Sequence, residues 1–181
     1  MEENLREVFL DSEKVYDGSL LHVRKDTVRL PNGKEASREV IRHIGAVCVV
    51  PVTQDGQVIV ERQFRYPMDQ VITEIPAGKL DSADEDPLEA GKRELEEETG
   101  YIAGKWTDMG VYYPTPAYSD EKIWMYLAED LSLGQRHLDD DEFLDVKLVP
   151  LKTLIDEILS GKIPDGKTQT ALMKAYLLLS H

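Results

Sequence analysis

The segment from Asp86 to Gly100 constrains the fold more strongly than any other part of the sequence. Asp86 suits a helix N-cap, Pro87 suits the first helical position, and Glu89 follows two residues later. Gly100 supplies a stop, because glycine readily adopts the left-handed conformation in which many helices end. The pattern therefore predicts a helix that begins after Asp86 and ends at Gly100.

Strand-like runs surround this helix. Short β-prone segments divided by glycine, proline and acidic residues predict a mixed sheet from 46–52, 58–64, 71–75, 110–113, 123–128 and 143–149. Two further helices are predicted at 151–160 and 169–179, each with an apolar stripe. Asp17-Gly18 and Asn32-Gly33 lie between β-prone runs and predict hairpins. We therefore expect a small N-terminal β element, residues 1–43, before a main domain, residues 44–181.

The charge balance excludes several classes of partner. Lys and Arg number 21 against 35 Asp and Glu, so the net charge of −14 repels nucleic acid and anionic membranes.

No apolar run approaches the roughly 20 residues that span a bilayer, and the N-terminus lacks the features of a secretory signal. Cys48 is the only cysteine, which excludes an intrachain disulfide and a zinc cage of cysteines. We expect a cytoplasmic protein.

The charges of the predicted helix are unusual for a solvated surface. At 100° per residue, Glu94, Glu97 and Glu98 fall on one face, which borders the apolar stripe of Leu88 and Leu95. Glu94 and Glu98 are like charges at i,i+4 and destabilise a helix by about 0.2–0.5 kcal/mol. One interpretation is a solvated acidic face. The other is a site for Mg²⁺, or alternatively Mn²⁺, because these cations prefer oxygen ligands.

The helix and the loop before it resemble the signature of the Nudix hydrolases. The run from Arg93 to Gly100 fits that pattern position by position, and seven residues separate Glu85 from Arg93, as the pattern requires. Six residues lie between Gly78 and Glu85, where the family usually has five. The resemblance implies an α+β fold, an α/β/α sandwich with a mixed sheet between helices. It also implies hydrolysis of a nucleoside diphosphate linked to another group.

The resemblance also implies roles for individual residues. It gives four metal ligands, which are the carboxylates of Glu94, Glu97 and Glu98 and the carbonyl of Ala77. Glu97 and Glu98 would thereby also be catalytic. Arg93 and Glu85 look structural: Arg93 would hold the glutamates in register, and Glu85 would brace the loop against the helix start.

Outside the signature the chain resembles the ADP-ribose pyrophosphatase branch of the family. The markers are Pro116, 16 positions after Gly100, and the runs Glu74–Leu80 and Ser37–Val40. The branch implies hydrolysis of ADP-ribose to AMP and ribose 5-phosphate. Two alternatives stay open: a pyrophosphatase for another nucleoside diphosphate sugar, and a non-catalytic nucleotide-sugar sensor.

The same resemblance suggests substrate contacts at Arg38, Glu39, Arg65 and Pro116. An acidic protein that binds an anion needs local arginines, whose planar forks match phosphate oxygens. The alternative for Arg65 is a surface arginine paired with a nearby acid. Tyr16 is a weak candidate for stacking on the adenine.

Two expectations complete the sequence-based interpretation. Glu142, the last residue of the acidic run 139–142, is the candidate general base, although this run also suits a solvated acidic loop. The N-terminal β element is too small to bury a core of its own. We therefore expect a homodimer in which this element contributes to the partner's substrate site.

Overall fold

The computed structural model describes residues 5–138 and 143–180, which form two compact units. The first unit takes the described residues up to Ile44 together with Tyr113–Lys122. Its three strands form an antiparallel sheet in the order β1-β2-β3: β1 Val8–Asp17, β2 His22–Arg29 and β3 Glu35–Arg42. Both predicted hairpins are confirmed.

This first unit has almost no interior. Among its described residues only Asp26 and Val28 are buried, while Phe9, Val15 and Tyr16 each expose more than half of their surface. The segment Tyr113–Lys122 is tied to the end of β3, where Ile41 N–H donates to Tyr118 O at 2.7 Å. The sheet is thus held by its backbone ladder rather than by a core.

The described part of the second unit contains seven strands, three α-helices and one short 3-10 helix, Tyr66–Met68. Their bounds are β4 Ala46–Pro51, β5 Gln57–Arg65, β6 Gln70–Glu74, β7 Ala77–Lys79, α1 Pro87–Thr99, β8 Tyr101–Tyr112, β9 Ile123–Leu133, β10 Asp145–Pro150, α2 Leu151–Leu159 and α3 Gly166–Leu179. One sheet has the order β7-β4-β9-β8 and is mixed, because β4 and β9 run parallel. The other has the order β10-β5-β6 and is antiparallel.

Strand β4 explains why helices cover both faces of the mixed sheet. Its side chains alternate, so Val47 and Val49 pack with residues of α1, whereas Cys48 and Val50 belong to the cluster that contains α2 and α3. All four are fully buried. The sequence of a strand that is buried on both faces is a continuous apolar run, and β4 has such a sequence.

Several predicted bounds were wrong, for physical reasons. Strand β8 covers Tyr101–Tyr112 rather than 110–113, since it is an edge strand whose alternation is broken by Gly104 and by a bulge after Asp108. The short strand β7 was not predicted, and β9 extends five residues past its predicted end. Helix α3 begins three residues early because Asp165 caps it. Strand β10 begins at Asp145.

No helix within the described part of the chain has the length and apolar character that a membrane crossing requires.

Candidate active site

Helix α1 is bounded by the residues that the sequence indicates. The Asp86 carboxylate accepts hydrogen bonds from Leu88 N at 2.8 Å and Glu89 N at 3.3 Å. At the other end Gly100 has φ 75°, and its N–H donates to Glu96 O. Both ends of the helix are therefore fixed, and the fixed ends determine the direction in which each side chain projects from the helix axis.

The glutamates of α1 lie at the margin of its buried face. Ala90 and Leu95 are fully buried, and Glu94 and Glu98 beside them are only 8% and 3% exposed. The Glu97 side chain is 40% exposed. Two carboxylates are therefore held in an environment where charge is costly unless it is compensated, and a third lies at its solvent edge.

Arg93 provides part of that compensation. Its Nη1 donates to Glu94 Oε1 at 2.8 Å and to Glu97 Oε2 at 3.1 Å, and its Nε lies 3.4 Å from Glu85 Oε1. Burial alone would lower the pKa of Arg93, but the neighbouring carboxylates, Glu94 first, raise it above its ordinary value. Arg93 therefore holds the glutamates in register, and Glu85 braces the loop by accepting from Asp81 N at 2.6 Å.

The backbone at Ala77 and Gly78 meets two of the glutamates. Ala77 N–H donates to Glu98 Oε2 at 3.0 Å. A Cβ at Gly78 would lie 2.0 Å from both Cδ and Oε1 of Glu94, so only glycine allows this carboxylate to approach the backbone so closely. Glu94 and Glu98 thus converge on two consecutive residues of the short strand β7.

The donor chemistry of this place fits a hard divalent cation. Three carboxylates and the Ala77 carbonyl are all oxygen donors, the class that Mg²⁺ and Mn²⁺ prefer. Among the described residues, no three His, Cys, Asp or Glu side chains are assembled as a ready-made metal site. In this structure Arg93 instead binds oxygens of Glu94 and Glu97.

Arg65 lies at the end of β5 and is paired with a buried acid. Its Nε and Nη2 donate to the two carboxylate oxygens of Glu74 at 2.6 and 2.8 Å. The hydrogen bond with Glu74 holds the pKa of Arg65 above its ordinary value. The two hydrogen bonds fix the orientation of the guanidinium, while the Arg65 side chain as a whole is 39% exposed.

The remaining predicted substrate residues belong to the first unit. Arg38, on β3, donates from Nε to Glu7 Oε2 at 3.0 Å. Glu39 follows on the same strand, is exposed, and points to the opposite face of the sheet. Pro116 is exposed in the turn of Tyr113–Lys122. Glu142, with the rest of 139–142, lies outside the described residues.

Sequence reasoning missed a charged cluster at the start of α3. Glu74, 1% exposed, is hydrogen-bonded to Lys167 Nζ, which lies 3.0 Å from Asp165 Oδ2, and Ile75 N–H donates to Thr168 Oγ1 at 3.1 Å. Burial alone would raise the pKa of Glu74, yet hydrogen bonds and charge from Arg65 and Lys167 lower it. Asp165 could have been found as an N-cap, but no local pattern indicates contacts between residues 93 positions apart.

Comparison with known protein families decides the family. The NUDIX domain matches residues 42–170, more than half of the chain. The chain belongs to the Nudix family. The nucleoside diphosphate sugar hydrolase N-terminal domain matches residues 9–41. Nudix hydrolases generally depend on a divalent metal ion.

Relatives of this Nudix chain include enzymes that act on two different nucleotide sugars. It is 41% identical to an ADP-ribose pyrophosphatase of Bacillus subtilis, over 93% of this chain and 92% of the relative. It is 33% identical to an ADP-ribose pyrophosphatase of Mycobacterium tuberculosis, over 85% and 75%. A GDP-mannose pyrophosphatase of Yersinia enterocolitica is 31% identical, over 86% and 87%.

A solved structure confirms the fold class. The structure described as an ADP compounds hydrolase superposes with a TM-score of 0.87 at 25% identity, over 97% of this chain and 96% of that chain. The predicted α+β Nudix fold is therefore correct, and the chain is a Nudix hydrolase.

Proposed function

We propose that this Nudix hydrolase cleaves the pyrophosphate of ADP-ribose to give AMP and ribose 5-phosphate. The observation that carries the proposal is the convergence of Glu94 and Glu98 on the backbone of Ala77 and Gly78. Acidic side chains held against a loop at the edge of a core suit a site that neutralises a diphosphate through cations. The two similar ADP-ribose pyrophosphatases support this choice of substrate.

Four groups would hold the metal ion in this proposal: Glu94, Glu97 and Glu98 through their carboxylates and Ala77 through its carbonyl. Mg²⁺ is the cation we propose, with Mn²⁺ as the alternative, because all donors are oxygens. A bound divalent cation would neutralise diphosphate charge and lower the pKa of a coordinated water. Arg93 keeps the glutamates in register beside the acidic loop residue Glu85.

The arginines would bind the anionic substrate. Arg65 is the stronger candidate, since the bidentate contact with Glu74 fixes its planar fork while 39% of the side chain stays exposed. We assign Arg38, Glu39 and Pro116 to the remainder of the substrate on the basis of the branch resemblance. The NDP-sugar hydrolase match over residues 9–41 supports a substrate role for Arg38 and Glu39.

Glu142 completes the proposal as the general base that removes a proton from the attacking water. Loss of a general base costs about 10²–10⁴-fold in rate. Glu142→Gln should therefore lower kcat much more than it raises KM, because a base acts mainly in the transition state. A larger effect of Asp141→Asn would assign the role to the neighbouring acid instead.

The decisive experiment measures how much nucleoside monophosphate, AMP from ADP-ribose or GMP from GDP-mannose, the purified protein releases. ADP-ribose, GDP-mannose and other nucleotide sugars are incubated with the protein, each with and without Mg²⁺. We expect cleavage of ADP-ribose that needs the cation and is lost in Glu98→Gln. Preferred cleavage of GDP-mannose would favour the alternative that the Yersinia relative suggests. Tight binding without any cleavage would instead identify a sensor.

We also propose a homodimer in which the N-terminal element, residues 1–43, serves dimerisation and substrate contacts, and residues 44–181 form the hydrolase domain. The exposed apolar side chains Phe9, Val15 and Tyr16 and the near absence of a core support it. Two-fold pairing is the commonest closed assembly. A cytoplasmic location is part of the proposal and suits the single, fully buried Cys48.

Light scattering tests the dimer, and a monomer mass at micromolar concentration would contradict it. Mixing tests the shared site. Subunits with Arg38→Ala are mixed with subunits with Glu98→Gln, neither of which is expected to turn over substrate. If the site uses both subunits, the mixed dimer regains one intact site and activity returns. If every site is built from one chain, mixing restores nothing.

A further inference from the structure

Three consecutive residues at the start of β7, Ile75, Pro76 and Ala77, each form a hydrogen bond with a different element. Ile75 N–H donates to Thr168 Oγ1 of α3 at 3.1 Å, and Val49 N–H of β4 donates to Pro76 O at 2.9 Å. Ala77 N–H donates to Glu98 Oε2 of α1 at 3.0 Å. The place of Ala77 beside Glu98 therefore depends on contacts made one and two residues earlier.

The contact with Thr168 is buried at both ends. Thr168 and Ile75 are each 0% exposed. If the hydroxyl were removed, Ile75 N–H would lose its acceptor in a place that excludes water, and the backbone would shift to find another. Thr168 is itself fixed, because its N–H donates to the capping carboxylate of Asp165 at 2.9 Å.

A second contact from α3 holds the residue before Ile75. Lys167 Nζ is hydrogen-bonded to Glu74 Oε2 and lies 3.0 Å from Asp165 Oδ2. Only 12% of the Lys167 side chain is exposed, so little water can replace either partner. The first turn of α3 therefore binds Glu74 through the Lys167 side chain and binds the backbone N–H of Ile75 through the Thr168 hydroxyl.

We propose that Thr168 is a positioning residue for the metal site, and that Lys167 assists it through Glu74. Together they hold the segment Glu74–Ala77 so that Ala77 stays beside Glu98, where its carbonyl would serve as one oxygen ligand of the cation. This inference rests on the proposed function, since it assumes that Ala77 and Glu98 bind the metal ion. It assigns a role in metal affinity to residues of α3, the helix on the opposite face of the sheet from α1.

The chain offers a matched control on the same helix. Thr170 Oγ1 donates to Gly166 O of its own helix at 2.8 Å, and among the described residues no hydrogen bond joins its hydroxyl to 74–77. Thr168→Val and Thr170→Val each replace one hydroxyl with a methyl group of similar size. Only the first removes an acceptor from the loop beside Glu98.

The experiment measures Mn²⁺ binding to the protein without substrate, by the paramagnetic resonance signal of free Mn²⁺. We expect Thr168→Val to weaken binding about tenfold, the lower end of what loss of an outer-shell partner costs. Thr170→Val should bind as the unchanged protein does, and Thr168→Ser, which keeps the hydroxyl, should restore affinity. Thermal melting of each variant ensures that binding is measured well below its transition.

Equal Mn²⁺ affinity of folded Thr168→Val and Thr170→Val would overturn the inference, because a purely structural role lowers the melting temperature alone. If Thr168→Val does not fold, Lys167→Met carries the test, with the exposed Lys162→Met as its control. Lys167→Met should weaken Mn²⁺ binding, and affinity equal to that of the control would again overturn the inference.

One further variant separates this inference from the proposed function. Glu98→Gln should weaken Mn²⁺ binding if the metal site lies where we propose. Should Glu98→Gln weaken binding while Thr168→Val and Lys167→Met do not, only the positioning role fails. Should the unchanged protein bind no Mn²⁺, or Glu98→Gln bind as well as it does, both proposals fail.

Discussion

Helices α1 and α3 begin alike and carry opposite kinds of charge. Asp86 and Asp165 have nearly the same backbone angles, φ −67° and ψ 121° against φ −68° and ψ 120°, and each caps its helix through its side chain. Helix α1 pairs Glu94 and Glu97 with Arg93, and its Glu98 accepts the Ala77 N–H. The start of α3 instead places Lys167 between two acids, one of which also binds Arg65.

The ratio of acids to cations in each cluster indicates the role of that cluster. At α3 two cations, Arg65 and Lys167, meet two acids, Glu74 and Asp165, around a carboxylate that is only 1% exposed, which suits a structural role. At α1 the glutamates of the cluster outnumber the arginine that contacts two of them. A surplus of oxygen donors at a loop is what a cation-dependent site needs, whereas a balanced buried pair already has its partners.

Removal of Glu74, the central acid of the balanced cluster, should have the largest effect on stability. Glu74→Gln leaves Lys167 and Arg65 without their shared carboxylate, and Lys167 is nearly buried. We expect the free energy of unfolding at pH 7 to fall by about 3 kcal/mol, the low end for a broken buried pair, since Arg65 keeps some hydration. Denaturant unfolding measures it, and a loss below about 0.5 kcal/mol, typical of surface sites, would contradict the structural role.

The free energy of unfolding can also be compared between the unchanged protein and Glu74→Gln as the pH is lowered. Because the pKa of folded Glu74 lies below its ordinary 4.5, its contribution is present above pH 4.5 and is lost as the pH falls through the lower, folded value. Arg65, Lys167 and the neighbouring acids Glu61 and Asp165 face it. The stability gap between the unchanged protein and Glu74→Gln should therefore narrow below pH 4.5. A gap that stays constant would contradict this pKa.

The unbalanced cluster should respond in the opposite way. Glu98→Gln keeps an oxygen that can accept the Ala77 N–H, but it removes one charge from an acidic group. We expect turnover to fall about 100-fold, equivalent to about 2.7 kcal/mol, while stability without metal does not fall, because repulsion with Glu94 is relieved. Glu97→Gln should behave similarly. A variant with near-normal turnover would remove that glutamate from the site.

How far the sequence could predict these two clusters follows from where their residues lie in the chain. The cluster on α1 comes from one helix and the loop before it, so spacing alone indicates which side chains share a face. Its counterpart joins Glu74 to Lys167, and no local pattern specifies that contact. The same reason explains the short strand β7, which exists only because β4 pairs with it. Edge strand β8 lacks a clean alternation, so its length was also missed.

A glycine substitution tests the close approach that shapes the unbalanced cluster. In Gly78→Ala the new Cβ would meet the Glu94 carboxylate at 2.0 Å, so this flexible end must swing away. We expect about tenfold slower turnover, less than the roughly 100-fold that a 1 Å misplacement can cost, because side-chain rotation absorbs part of the clash. Gly104→Ala, whose Cβ would meet Asp130 at 3.3 Å, is the control. Equal rates for the two variants would show that the approach of Glu94 is unimportant.

The smallest effect concerns the two caps, where the helices look most alike. Asn caps a helix about as well as Asp, so Asp86→Asn and Asp165→Asn both keep the cap and lose only the charge. Each should lose the favourable interaction with the helix dipole, about 0.3–1 kcal/mol. Asp165→Asn also reduces the negative charge beside Lys167, which it contacts at 3.0 Å. We therefore expect it to cost about 0.5–1 kcal/mol more than Asp86→Asn.

Thermal unfolding resolves that difference, because 1 kcal/mol shifts the midpoint by about 2–4 °C in a protein of this size. Replacement by Ala removes the cap as well as the charge, and both Ala variants should lose about 1 kcal/mol beyond their Asn counterparts. If the two Asn variants cost the same, Asp165 is a cap and nothing more, and the balanced cluster is confined to Glu74, Arg65 and Lys167. If Asp86→Asn loses more stability than Asp165→Asn, the acidic cluster on α1 depends on the negative charge of Asp86. The charge at the two caps would then matter in both helices, contrary to what their contacts indicate.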